Sequence, residues 1–276
     1  MIRKFQLSII LFLSVVLSSC SKDKLQYDDE YDELENVGLI QPLDTTYLSE
    51  LKEICKLSPN YGKTVGVFGG SLSSNPESVV AKAYWHKYLG MEIKTYGMQG
   101  HGFSSLQGSI QDQIKYARKH DIYILWCSTN DYTTNREIGS TDDYTSKDKF
   151  NKRKLTTQCG GMNYCISKLR QLNPNCTIYI FGSLKFFSSP EGNDIDSDIT
   201  NKIGLSFHQY IEAQKKISES RGVKFFNQWD IPVLTKENSE SFYKDDKVHM
   251  TYEGYANIAP YQLFFLATES SSIYSH

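Results

Sequence analysis

The chain has no excess of charge of either sign. Thirty Lys and Arg face 32 Asp and Glu over 276 residues, a formal charge of −2. Phosphate binding calls for a basic surface, so this balance excludes a nucleic-acid partner as the natural reading. No CxxC metal pattern is present among the six cysteines. No apolar run reaches the roughly 20 residues that a membrane-spanning helix needs. The longest, Phe5 to Leu17, has 13. Disorder over most of the length is also excluded, because 39% of the residues are hydrophobic and only 22% charged. Aromatic residues are plentiful at 13%, with 19 Tyr and 14 Phe. Such rings fill cores first and can also face sugars. The length suits one large α/β domain.

The short apolar run has the layout of a secretory signal over residues 1–19. Arg3 and Lys4 supply the positive start, Phe5 to Leu17 the apolar centre, and Leu17-Ser18-Ser19-Cys20 the end. Small residues ahead of a cysteine resemble the lipobox of bacterial lipoproteins. That resemblance implies lipidation of Cys20, a membrane anchor and an extracytoplasmic address at the outer membrane or cell surface. Residues 20–60 then read as an acidic tether and N-terminal extension. Six acids fall within Asp28 to Glu35, and like charges extend such a segment. Five cysteines would remain, an odd number that leaves at least one thiol free. Cys159 and Cys165 on a shared helix would lie about 9 Å apart along its axis, too far for a disulfide bridge. Cys127, at the end of an apolar run, reads as a core residue.

From residue 61 to 270 short apolar runs alternate with amphipathic stretches. Strands are expected at Thr64–Phe68, Met91–Tyr96, Ile122–Cys127, Thr177–Phe181 and Val223–Phe226. Helices are expected at Pro76–Leu89, Ser104–His120, Thr156–Leu172, Asn201–Arg221 and Tyr252–Leu266. The alternation implies a three-layer, doubly wound, flavodoxin-like parallel sheet of about five strands. Ligands of such sheets sit beyond the carboxyl ends of the strands.

Three loci fall there. Gly69-Gly70-Ser71 follows the first strand, in a turn where a serine hydroxyl and its own N–H can face one ligand. Ser128-Thr129-Asn130-Asp131 follows the third, where an amide can donate to a developing oxyanion or, equally, form an Asx turn. Asp246-Lys247-Val248-His249 precedes the last helix; a carboxylate three residues before a histidine can orient its ring. Asp245 is a rival acid.

Taken in order, Ser71, Asn130 and Asp246-x-x-His249 resemble the SGNH (GDSL-like) hydrolases over roughly residues 61 to 270. The resemblance implies carboxylic ester hydrolysis with Ser71 as nucleophile, His249 as base and Asp246 as its orienting acid. It also implies an oxyanion hole formed by Ser71, Asn130 and a glycine after the second strand. Spacing selects Gly100, with Gly97 and Gly102 as rivals. It implies no metal and no cofactor. The family's first block commonly reads Gly-Asp-Ser, whereas here Gly70 takes the place of the aspartate.

His101, Asp131 and Tyr132 beside these blocks are the candidate substrate contacts; His86 reads as structural. The segment from Tyr132 to Thr157 lacks apolar periodicity and carries polar and aromatic side chains. It reads as a specificity loop or lid, better suited to carbohydrate than to an acyl chain. The expected substrate is therefore a small acyl ester, chiefly O-acetyl on a glycan. The alternatives are a lipid acyl esterase and a surface lipoprotein that binds glycans without turnover.

Overall fold

The computed structural model describes residues 33–34, 45–104, 109–144, 154–187 and 199–270. The signal segment, Cys20, most of the acidic tether and residues 145–153 of the expected loop lie outside them.

The strands are β1 (Thr64–Gly69), β2 (Glu92–Thr95), β3 (Ile122–Trp126), β4 (Thr177–Phe181) and β5 (Lys224–Phe226). All pair in parallel, in the order β2-β1-β3-β4-β5. Strand residues alternate between two cores because successive side chains point to opposite faces. Val65, Val67, Ile122, Ile124, Trp126, Tyr179 and Phe181 enter one core. Phe68, Tyr123, Leu125, Ile178 and Ile180 enter the other. The first is covered by helices α1 (Thr45–Leu57), α2 (Val79–Leu89) and α5 (Tyr252–Thr268), the second by α3 (Gln158–Leu172) and α4 (Phe207–Arg221). The structure is the three-layer doubly wound fold expected from the alternation.

Two helices differ from expectation, each for a local reason. Among the described residues of the stretch expected to be helical from Ser104, helix covers Ile110–Gln113, followed by a 3₁₀ turn, Ile114–Tyr116. A capping box between Ser109 and Asp112 sets its start. The helix expected from Asn201 begins at Phe207, after a second capping box of Ser206 and Gln209. Asn201 instead closes a turn, its side-chain oxygen accepting from the N–H groups of Ile203 (3.2 Å) and Leu205 (3.1 Å).

Helix α1 lies within the N-terminal extension of residues 20–60 and is packed on the domain. Leu51 and Cys55 are buried in the first core. The Asn60 amide donates to Tyr179 Oη and to the Leu266 carbonyl, each at 2.7 Å. The packed unit therefore includes α1.

Cys55, Cys127, Cys159 and Cys165 are free and buried, and Cys176 is free and half-buried. Burial pushes the Cys159 thiol up to about 12, as it does that of Cys55, so both stay protonated packing groups. Among the described residues no helix is long and apolar enough to cross a membrane.

Leu51→Ala should lower the stability of the whole domain by about 2–5 kcal/mol in urea denaturation, the usual loss for a buried leucine. A change below about 0.5 kcal/mol, typical of a surface substitution, would show that α1 is a dispensable appendage.

Candidate active site

Three segments leave the carboxyl edge of the sheet and converge. After β1, Gly70 leads into the one-turn helix Ser71–Ser74. After β3, the chain turns through Ser128 and Thr129 into a second one-turn helix, Asn130–Thr133. The third segment is a loop closed at its base by the antiparallel bridge between Tyr243 and Met250. Within it the Lys244 N–H donates to the His249 carbonyl (2.7 Å) and the Lys247 N–H to the Lys244 carbonyl (2.8 Å). Thr251 then caps α5 by accepting from the Gly254 N–H.

These segments bring Ser71, His249 and Asp246 into one hydrogen-bonded chain. His249 Nε2 lies 2.8 Å from Ser71 Oγ, and His249 Nδ1 lies 2.6 Å from Asp246 Oδ2. An ionised carboxylate only accepts, so Nδ1 carries the proton. In the neutral ring Nε2 is then the acceptor for the serine hydroxyl. Asp246 Oδ1 accepts from the backbone N–H groups of Val248 (2.9 Å) and His249 (2.8 Å). Partial burial pushes the Asp246 carboxyl upward. The bonds from the His249 ring and from the two N–H groups outweigh it and hold the carboxyl below the usual range. Asp245 is exposed, and it is Asp246 that takes the ring.

On the other side of Ser71 stands Asn130. Its Nδ2 donates to the His101 carbonyl (3.1 Å) and to Ser128 Oγ (3.0 Å). Gly70 makes this approach feasible. A Cβ there would stand 2.8 Å from Asn130 Nδ2, 2.7 Å from the His101 carbonyl oxygen and 2.9 Å from Ser128 Cβ. The φ of Gly70 is −81°, open to any residue; space is what demands glycine.

The three glycines after β2 separate. Gly97 abuts the helix Ser71–Ser74, with its Cβ position 2.6 Å from Ser73 Oγ. Gly102 abuts the Asp131 carboxylate. Gly100, the residue selected by spacing, is exposed with φ +73°. His101 serves Asn130 through its carbonyl, while its ring Nδ1 faces the Gln99 carbonyl. His86 Nδ1 lies 2.7 Å from the Met91 carbonyl, away from the site.

Asp131 and Tyr132, the expected substrate contacts beside Asn130, are both buried and engaged within the fold. Asp131 is buried, and its carboxylate accepts from the N–H groups of Phe103 (3.0 Å) and Ser104 (3.1 Å) and from Ser104 Oγ. Burial raises its carboxyl, and these three donors together with the Arg136 charge oppose the rise. Its function is to clamp the glycine loop. Tyr132 is buried against Phe186, Phe207 and Tyr210. The expected lid is likewise bound down over residues 132–144. The Asn163 amide donates to the Thr141 and Asp143 carbonyls (2.9 and 2.7 Å), and Tyr144 packs edge-on against Tyr164.

Two features escaped the sequence reading. Ser128 supports Asn130, its Oγ accepting from the Asn130 N–H (3.3 Å) as well as from the amide. A serine two residues ahead of the asparagine is the available signal. Glu77 and Lys244 form an ion pair of 2.7 Å that joins the nucleophile's side of the site to the histidine's loop. No local pattern announces it.

Residues 67–256 match the GDSL-like lipase/acylhydrolase family. The chain belongs to that family. It is accordingly a carboxylic ester hydrolase of the SGNH class. No curated protein matches it in sequence. Among solved structures it is similar to a possible lipase from Chitinophaga pinensis, with 19% identity, TM-score 0.58, and coverage of 76% of this chain and 100% of that one. A protein from Lactobacillus plantarum shares 18% identity at TM-score 0.60, covering 75% and 97%. A catalytic mutant of an acetylxylan esterase from Geobacillus stearothermophilus shares 13% identity at TM-score 0.50, covering 79% and 100%. At such identities these likenesses show the shared fold.

The crowding at Gly70 yields a prediction. Gly70→Asp restores the residue common in the family, yet here it should displace the Asn130 amide. We expect kcat on p-nitrophenyl acetate to fall about tenfold or more, since a misplacement of about 1 Å costs on that order or beyond. An unchanged or higher kcat would show that the site accommodates the side chain.

Proposed function

We propose that this hydrolase removes small acyl groups, chiefly acetyl, from carbohydrates, using Ser71, His249 and Asp246 as its catalytic triad. The observation that carries the triad is the continuous chain from Ser71 Oγ through the His249 ring to Asp246 Oδ2, at 2.8 and 2.6 Å. Ser71 Oγ attacks the ester carbonyl while its proton passes to His249 Nε2. Asp246 holds the ring and stabilises the imidazolium. The tetrahedral intermediate collapses to an acyl-serine as the imidazolium returns the proton to the departing alcohol. Water then repeats the sequence and releases the acid. Donors for the oxyanion are the Ser71 N–H, the Gly100 N–H and the Asn130 amide. The Ser71 N–H is a first-turn group, which has no acceptor inside its own helix.

Support for a carbohydrate rests on the polar composition of the Tyr132–Thr157 segment, since its tyrosines Tyr132 and Tyr144 are buried. That a structural neighbour is an acetylxylan esterase agrees with it. Ser71→Ala should abolish turnover and labelling by a fluorophosphonate probe while leaving the fold intact. Wild-type activity should be highest on acetyl esters. A preference for C8 or longer chains would favour a lipid acyl esterase. A folded wild-type protein that neither turns over esters nor labels would leave a glycan-binding protein.

The lipobox-like end of the signal segment supports a mature protein beginning at Cys20, lipidated there and held on the extracytoplasmic side of a bacterial membrane. Metabolic labelling with an alkyne fatty acid should mark the wild type and not Cys20→Ala. Equal labelling of both would dismiss the anchor.

A further inference from the structure

Beside the loop that carries Asp246 and His249 lies a cleft of about 380 Å³, lined by Phe187, Lys236, Glu237, Ser239, Glu240 and Lys247. We propose that this cleft is a subsite for a neutral sugar ring of the glycan whose ester Ser71 attacks. The proposal rests on the deacetylase reading and deepens it.

Lys247 ties the cleft to the chemistry. It sits two residues before His249, and two residues of chain reach at most roughly 7 Å. Its backbone adopts φ +52°, a left-handed conformation that a lysine takes up at some energetic cost. The side chain lies on the cleft wall, where Nζ is 2.9 Å from Glu240 Oε1 and 3.4 Å from the Ser239 carbonyl. The Phe187 N–H donates to the Lys247 carbonyl at 2.7 Å, so this lining residue is fixed to the same loop. One short stretch of backbone thus presents Asp246 and His249 to Ser71 and its intervening lysine to the cleft.

The lining selects the ligand. Four ionisable side chains face the space, and an acyl chain would gain nothing from desolvating them. Two cations are matched by two anions, and Lys247 and Glu240 are already paired, so the lining offers no net charge to recruit a polyanion. Hydroxyl groups, which both donate and accept, suit such a wall. The aliphatic stems of the lysines supply apolar surface for the face of a pyranose, while the Phe187 ring is buried behind them against Tyr243.

Calorimetric titration of the purified full-length protein with xylotetraose tests the proposal. This neutral oligosaccharide carries no ester, so binding is read without turnover. We expect saturable binding, weakened about three- to tenfold in Lys236→Ala and in Glu240→Ala, the loss that follows from one or two hydrogen bonds. Circular dichroism melts confirm that both variants fold. The proposal is overturned by the absence of saturable binding, by equal affinity in the variants, or by tighter binding of tetragalacturonate or octanoate. The esterase reading is separable. If ester turnover survives Ser71→Ala while xylotetraose still binds, the triad fails and the subsite stands. If turnover is lost and xylotetraose does not bind, the subsite alone falls.

Discussion

The parallel register of β1 against β3 is the constraint on which the site depends. Val65 pairs with Ile122, and the ladder runs in step to Gly69 opposite Trp126. The two strands therefore end level, and their chains leave the sheet side by side. Gly70 and Asn130 meet because of this alignment, close enough that a single added carbon would collide with the amide. A slip of one residue would move Ser71 by roughly 3.3 Å. It would also exchange the two cores, because neighbouring strand residues face opposite sides. Ile124 and Leu125 now occupy separate cores on opposite faces. The hydrophobic pattern that stabilises the fold thus also sets the spacing of the chemistry.

Beneath the site lies a third, smaller cluster formed by Tyr132, Phe186, Phe207, Tyr210, Ile211 and Trp229. Tyr132 comes from the helix that presents Asn130, and Val248, from the histidine's loop, packs against the same cluster. The segments that carry Asn130 and His249 therefore share one aromatic floor. The triad's acid and base remain accessible: the side chains of His249 and Asp246 are 32% and 48% exposed. They are held by backbone, not by burial, since Asp246 accepts two N–H groups of its own loop and the loop is closed by its own bridge. Such an arrangement admits substrate while keeping the imidazole in one tautomer.

Much of this was legible in the sequence. Apolar runs bounded by turn residues gave the strands, and the positions just after them contained Ser71, Asn130, Asp246 and His249. What was not legible depends on partners far along the chain. The α1 helix has a buried stripe at Leu51 and Cys55, but the residues it covers come from elsewhere in the fold. Asp131 reads as a ligand contact because it adjoins Asn130. Its partners within the fold are N–H groups 27 and 28 residues earlier, which leave no trace in side-chain identity. The start of α4 was misplaced because Asn201 resembles a helix residue until its side chain is seen closing a turn.

Gly70 joins these threads. Its lack of a side chain lets the Asn130 amide approach the nucleophile's turn, and the amide is held there by the His101 carbonyl and Ser128 Oγ. Those two acceptors are themselves only 3.2 Å apart. One N–H of the amide can serve both in a three-centre bond. An asparagine amide has two N–H groups, and with a three-centre bond the second is the donor that the proposed oxyanion hole requires. The carbonyl of His101 is in turn fixed from the far end of its loop, where Asp131 holds Phe103 and Ser104. A donor oriented by this succession of bonds needs no reorganisation when charge develops on the substrate. That readiness is the condition under which such donors contribute most to catalysis.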